Sequence, residues 1–215
     1  MVRGAGSLQY GPQFGGLVNF ILKNGSERKK PFQYEAQQTA GSFGLFNSYN
    51  AIGGQNDKAH YYAFWDHRKG NGFRENSGFT VNTGFANYTW KLSNKLKLGM
   101  EITHFDYLSK QPGGLTDAQF SKDAFSSFRN RNWFEVQWNM AALNLDYTIN
   151  DHSRLNVKTF GMMGDRNSIG FMLAPNVADT INASTLQYNN RRVDKDQYRN
   201  FGAEMRYIST YKMGN

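Results

Sequence analysis

"VRGAGSLQYGPQFGGLVNFILKN", Val2 to Asn24, places five glycines between Val2 and Gly16 and then changes to an apolar run, Leu17-Val18-Asn19-Phe20-Ile21-Leu22. Glycine supplies positive φ or close backbone approach, at an entropic cost in the unfolded chain. Gly4, Gly6, Gly11, Gly15 and Gly16 therefore read as tight turns packed against another surface. The apolar run reads as a short buried strand that closes the element. The spacing GxGxxxxG is not the GxGxxG of a dinucleotide site, and no apolar strand precedes it. No GK[ST] follows, so a nucleotide-triphosphate loop is excluded as well.

Composition narrows the class. Of 215 residues, 15% are aromatic, 22 are glycine and only 4 are proline, which favours strands and turns over helices. Cysteine is absent, so disulfide frameworks and thiolate metal sites are excluded. A mean hydropathy of -0.68 and the lack of an eighteen-residue apolar run exclude a transmembrane helix. They leave open a transmembrane β-barrel, whose alternating strands average to a polar value. "MVRGAGSL" has no basic segment followed by an apolar one, so the expectation is a cytoplasmic chain or a piece of a longer precursor. A net charge of +8 and a pI near 9.6 invite an anionic partner: nucleic acid, lipid phosphate or an acidic solute.

From Phe32 onward the chain alternates with period two. "FQYEAQQTA" sets Phe32, Tyr34, Ala36 and Ala40 against Gln33, Glu35, Gln37 and Thr39. "FANYTWKL", "LKLGMEITH", "LNLDYTIN" and "NFGAEMRY" repeat the pattern, one face apolar and the other polar or charged. Short turns are expected at Gly53 to Lys58, Ser93 to Lys95 and Asn150 to Ser153. Between them, connections lengthen along the chain: "FGLFN", "KGNGFRENS", then about Leu108 to Phe134 and about Asp165 to Gln197. Such long loops are uncommon in compact soluble domains. Alternating short and long connections suit an up-and-down barrel in an outer membrane. The count is about eight strands, the last ending near Tyr211. A soluble sandwich or lipocalin-like barrel would alternate too, but with its apolar face turned into a core.

The opening stretch resembles the end of the plug domain of TonB-dependent outer-membrane transporters. That plug ends in R-G-x-x-S/A-x-x-Y-G-x-x-x-x-G-G-x-(V/I)-N-(F/I) just before the first barrel strand. Arg3, Gly4, Tyr10, Gly11, Gly15, Gly16, Val18, Asn19 and Phe20 stand where the signature asks. "YLSKQPGGLTDAQF", Tyr107 to Phe120, followed by "RNRNWF", is similar to an extracellular loop of the ferric-citrate-transporter-like branch. The resemblance implies an all-β fold: residues 1–24 as the C-terminal end of a plug, 25–31 as a linker, and 32–215 as the first part of a transmembrane β-barrel. About eight of an expected twenty-two antiparallel strands would be present, so the chain is expected to be a fragment that does not transport alone. The implied function is TonB-dependent uptake of a ferric chelate, such as ferric citrate or a similar siderophore, across the bacterial outer membrane. The implied partners are the chelate, TonB through a part absent here, and outer-membrane lipid with lipopolysaccharide; no nucleic acid is expected.

Transport of this kind needs no covalent chemistry, so neither a catalytic group nor a cofactor is expected. His60, His67, His104 and His152 lack metal-ligand spacing, and no GxSxG elbow occurs. An anionic chelate calls for arginine, whose planar fork binds carboxylates bidentately. Arg68, Arg74, Arg129, Arg131, Arg191 and Arg192 lie in long connections. Arg129 and Arg131, beside Trp133, are the first choice for substrate binding, with Arg74 and, in "YGPQFGG", Gln13 as further candidates. For each arginine the plainer reading is a solvated loop charge or a contact to lipopolysaccharide phosphate. Lys97, Glu101, Asp146, Lys158, Glu204 and Arg206 are expected to hold the plug. Tyr34, Trp90, Tyr147 and Tyr207 are expected to form an interfacial girdle.

Two other readings compete. The same fold could import a glycan or cobalamin, glycan sites being marked by stacked aromatics. Alternatively, a soluble basic β-protein could bind single-stranded nucleic acid through aromatics and cations, which leaves the plug signature unexplained.

Overall fold

A computed structural model describes residues 21–211. They form one antiparallel sheet in which every strand pairs with its neighbours in sequence. The strands are β1 Gln33–Gly41, β2 Leu45–Gln55, β3 Ala59–Gly70, β4 Phe79–Lys91, β5 Leu96–Lys110, β6 Trp133–Asn150, β7 Ser153–Gly170 and β8 Arg192–Ser209. A short helix, α1 Asp117–Lys122, sits between β5 and β6. β1 and β8 are the sheet's two edges.

Cross-strand partners point to the same face of a sheet, so the register assigns every side chain to a face. One row runs through all eight strands: Tyr34, Ile52, Ala63, Ala86, Ile102, Ala141, Gly161 and Phe201. Toward the short turns the same face continues with Met100, Leu143 and Ala203, then with Trp90, Leu98, Leu145, Val157 and Met205. Leu98, Met100, Leu143, Leu145, Ala203 and Met205 therefore share one face, as the alternation predicts. These side chains converge on no core: Ile102 is 59% exposed and Met205 71%. Four residues toward the long loops, still on this outer face, the row reads Gln38, Ser48, His67, Asn82, Asp106, Gln137, Asp165 and Gln197. The apolar surface is thus a band with a polar margin, not a uniformly greasy sheet. Tyr34, Trp90, Tyr147 and Tyr207 all lie on this face, near the ends that carry the short turns.

The opposite, inner face carries Lys97, Glu101, Asp146, Lys158, Glu204 and Arg206. It also packs a small cluster of Ala51, Tyr62 and Phe85, against which Tyr49 and Phe64 lean.

In six cross-strand pairs among the described residues, an aromatic ring lies over the glycine opposite it. Tyr62 faces Gly53, Phe79 faces Gly70, Trp138 faces Gly164 and Phe160 faces Gly202 on the inner side. Trp65 faces Gly84 and Phe201 faces Gly161 on the outer side. In each pair the ring occupies the space a β-carbon would need. The pairing of a missing side chain with a large flat one covers backbone that glycine leaves bare. It explains why this sheet is rich in both residue types.

The short turns fall at residues 56–58, 92–95 and 151–152, inside the predicted windows except that the second begins one residue earlier, at Leu92. The long connections differ from expectation at their edges. "FGLFN" is only a tight turn, because Leu45 already pairs with Gly41. β5, β6, β7 and β8 run several residues further than predicted, shortening the last two loops to 111–132 and 171–191. The apolar alternation fades there, as in Arg166-Asn167-Ser168 and Asp194-Lys195-Asp196, while the backbone ladder continues.

Candidate functional site

The three long loops, 71–78, 111–132 and 171–191, all emerge at the same end of the sheet and are tied into one cap. Arg74 in the first loop donates to Gly113 O at 2.8 Å and, through Nε and Nη2, to Ser126 O in the second. Asn76, in the left-handed region at φ 50°, donates its amide to Arg129 O at 2.6 Å and also reaches Gln111 O and Asn132 O. Phe73 and Phe125 meet edge to face with centroids 6.3 Å apart. α1 is held by a capping box: Thr116 accepts from the Gln119 backbone, and the Gln119 side chain accepts from Thr116 N–H.

Arg129 ties the second loop to the third. Its side chain donates to the carbonyls of Leu173, Ala174, Val177 and Phe128 at 2.8–3.0 Å, and its guanidinium lies 4.8 Å from the Phe171 ring centroid. The residue is 4% exposed. Gly113 makes room for it: at φ +71°, a β-carbon there would stand 2.6 Å from Arg129 Cγ. Beside it, Asp179 accepts from Arg131 at 3.0 Å and from Arg191. Burial pushes the Asp179 carboxyl up, but the hydrogen bonds from Arg191 and Arg131 outweigh it and hold the group below its ordinary range. Arg131 also lies over the Tyr188 ring. Asn132 accepts from Phe171 N–H and from Arg191 through one carbonyl oxygen.

Below the cap, the inner face of β1–β4 forms an open hollow of about 560 Å³ lined by Lys23, Glu35, Gln37, Tyr49, Phe64, Asp66, Arg68 and neighbouring residues. Lys23 and Arg28 both pair with Glu35, at 3.3 and 2.7 Å, and both cations lie 5.6 Å from the Tyr62 ring centroid. Asn87 donates to Lys23 O and His60 contacts Asn24 O, so the segment leading into β1 lies against the inner face. Across β5–β8 the same face is aromatic, with Phe105, Tyr107, Phe134, Trp138 and Tyr198.

The structure places Arg74, Arg129 and Arg131 together in the loop cap. Arg74 and Arg129 are engaged by backbone carbonyls, whereas Arg131 keeps a side chain 34% exposed. Arg191 and Asp179 complete the constellation. Arg191 was one loop cation among many in the sequence, and Asp179 carried no signal at all. Arg3, Gly4, Tyr10, Gly11, Gln13, Gly15, Gly16 and Asn19 lie outside the described residues. Among the described residues, no group of three His, Asp or Glu side chains could hold a metal ion.

Comparison with protein-family descriptions and with curated proteins yields no match. Among solved structures the chain is similar to the crystal structure of ferric citrate transporter FecA in the unliganded form, at a TM-score of 0.64 and 17% identity. The match covers 85% of this chain and 26% of that one, so the chain spans about a quarter of its length. The similar protein is a transporter, not an enzyme. The fold of this chain is a partial antiparallel β-barrel similar to part of that transporter's structure.

Proposed function

We propose that this chain forms part of an outer-membrane transporter that takes up a ferric chelate with energy from TonB. The observation that carries the reading is the division of one sheet into an outer apolar band with a polar margin and an inner face that carries Lys97, Glu101, Asp146, Lys158, Glu204 and Arg206. Each edge of the sheet leaves unpaired backbone groups that a bilayer does not tolerate. We therefore infer that β1 and β8 pair with further strands, and that residues 1–24 belong to a plug held inside them, joined by the linker 25–31. The contacts of Lys23, Asn24 and Arg28 with the inner face support that placement.

The cap is the surface on which a chelate would first be recognised. Arg131, whose side chain is partly exposed, is the residue proposed to meet a chelate carboxylate, assisted by Gln13. Arg74 and Arg129 act by holding the loops in position. Ferric citrate is the first cargo to test. In cells whose own ferric transporters are deleted, the complete receptor should import 55Fe-citrate, and a protonophore should abolish that import. Import of a glycan or cobalamin in place of any ferric chelate would overturn the cargo. A receptor found soluble without detergent would overturn the membrane reading altogether.

A further inference from the structure

Residues 25–31, expected from the sequence as a linker, are seated on β2 and β3 through their backbone. Gly25 is buried at φ +84°, and a β-carbon on it would overlap the Tyr61 carbonyl oxygen of β3. Only glycine takes both that conformation and that close approach without strain. At the other end, a β-carbon on Gly54 of β2 would overlap the Pro31 carbonyl oxygen. Gln55 N–H donates to Lys30 O at 3.1 Å, and the Tyr61 hydroxyl donates to Pro31 O at 3.1 Å. Arg28 N–H closes a turn onto Gly25 O, also at 3.1 Å. The Arg28 side chain, 17% exposed, pairs with Glu35 at 2.7 Å and lies against the buried Tyr62 ring.

The two residues before Gly25 are held by side chains instead. Lys23 pairs with Glu35 at 3.3 Å, the two side chains being 54% and 38% exposed. Asn87 donates its amide to Lys23 O at 2.9 Å, and His60 contacts Asn24 O at 2.8 Å. Exposed contacts of this kind hold weakly, because water replaces them. Lifting residues 25–31 would instead remove the seats at Tyr61 and Gly54, the Gln55 and Tyr61 hydrogen bonds and the Arg28–Glu35 pair together. The strength of attachment therefore steps up between Asn24 and Gly25.

We propose that residues 25–31 are a mechanical stop: when the segment before them is drawn away from the barrel, displacement runs to Asn24 and halts at Gly25. The inference rests on the reading of residues 1–24 as plug and fixes where movement of that plug ends. The stop keeps load off β1, which is only nine residues long and lies at the edge of the sheet. Pulling the complete receptor from its N-terminus in a lipid bilayer, by single-molecule force microscopy, tests this without any cargo. The contour length should place a force peak at residue 25. In Gly25→Val the peak should shift to the start of β1 at Gln33, about 27 Å further along the extended chain. In Arg28→Ala, which leaves the backbone seats in place, the peak should stay at residue 25 but at lower force. Heat-modifiable gel migration checks that each variant is folded, and Arg28→Ala decides alone should Gly25→Val misfold. A wild-type chain that peels past residue 25 to β1 without a peak, or a peak unmoved in folded Gly25→Val and undiminished in Arg28→Ala, overturns the inference. Absence of any peak before residue 25 overturns the plug reading, while the peak at residue 25 still decides the stop.

Discussion

Trp138 lies directly across from Gly164, and a β-carbon on Gly164 would stand 2.5 Å from Trp138 Cδ1. A β-carbon there forces the indole to shift. Gly164→Ala should therefore destabilise the folded barrel by about 1–3 kcal/mol, the usual cost of overpacking. Trp138→Leu combined with Gly164→Ala should recover most of the loss. Urea unfolding of the receptor in lipid vesicles measures both.

The outer band predicts a sharp positional contrast on one strand. Leu143 and Gln137 both project from the outer face of β6, six residues apart, one in the apolar band and one in the polar margin. Leu143→Arg should cost about 2–4 kcal/mol in a bilayer, whereas Gln137→Arg should cost about 0–1 kcal/mol. Equal costs at the two positions would remove the membrane assignment of the band.

Arg129 fixes the third loop through three of its carbonyls, which no other described side chain reaches. Lysine is a point donor on a flexible stem and does not reproduce the planar fork. Both Arg129→Lys and Arg129→Ala should free residues 171–191, raising the local proteolysis rate by about tenfold or more, since each lost charge-assisted bond costs about 1.5–3 kcal/mol. The sheet itself should keep its thermal stability.

Asp179 gives the cap a defined acid dependence. Its folded-state pKa is depressed, because the Arg191 and Arg131 hydrogen bonds outweigh burial. Its contribution is therefore complete above the ordinary carboxylate pKa and is lost as pH falls through the lower folded-state value. Hydrogen exchange of residues 171–191 should be flat from neutral pH down to the ordinary carboxylate range and should accelerate only below it. Exchange rates must be corrected for intrinsic pH dependence. In Asp179→Asn the acid step should disappear, with faster exchange throughout.

The architecture was legible in the sequence because a strand with one apolar face writes its period directly into the residue order. Leu143 to Asn150 and Leu96 to Thr103 alternate without interruption, so their faces could be assigned before any register was known. The short turns were equally local, being set by Asn, Asp, Gly and Ser at the chain reversals. Strand ends were read less well. Beyond Asp165 on β7 and before Gln197 on β8 only the outer pair Ile169–Val193 is apolar, too little to show period two in hydropathy, although the ladder continues to Gly170 and Arg192.

For the loops, residue type marked Arg68, Arg74, Arg129, Arg131, Arg191 and Arg192 alike, since arginine in long connections suits anion binding. What each guanidinium touches is decided by residues some forty to fifty positions away, Gly113 and Ser126 for Arg74, Leu173 to Val177 for Arg129, Asp179 for Arg131. The glycine–aromatic pairs were invisible for the same reason. Composition showed that both residue types were abundant, but only the register sets Trp138 opposite Gly164 and puts that one tryptophan inside while the other three face out. Alternation along a strand is a local property of the chain. Which residue lies opposite, and which carbonyl a buried cation reaches, are properties of the assembled sheet.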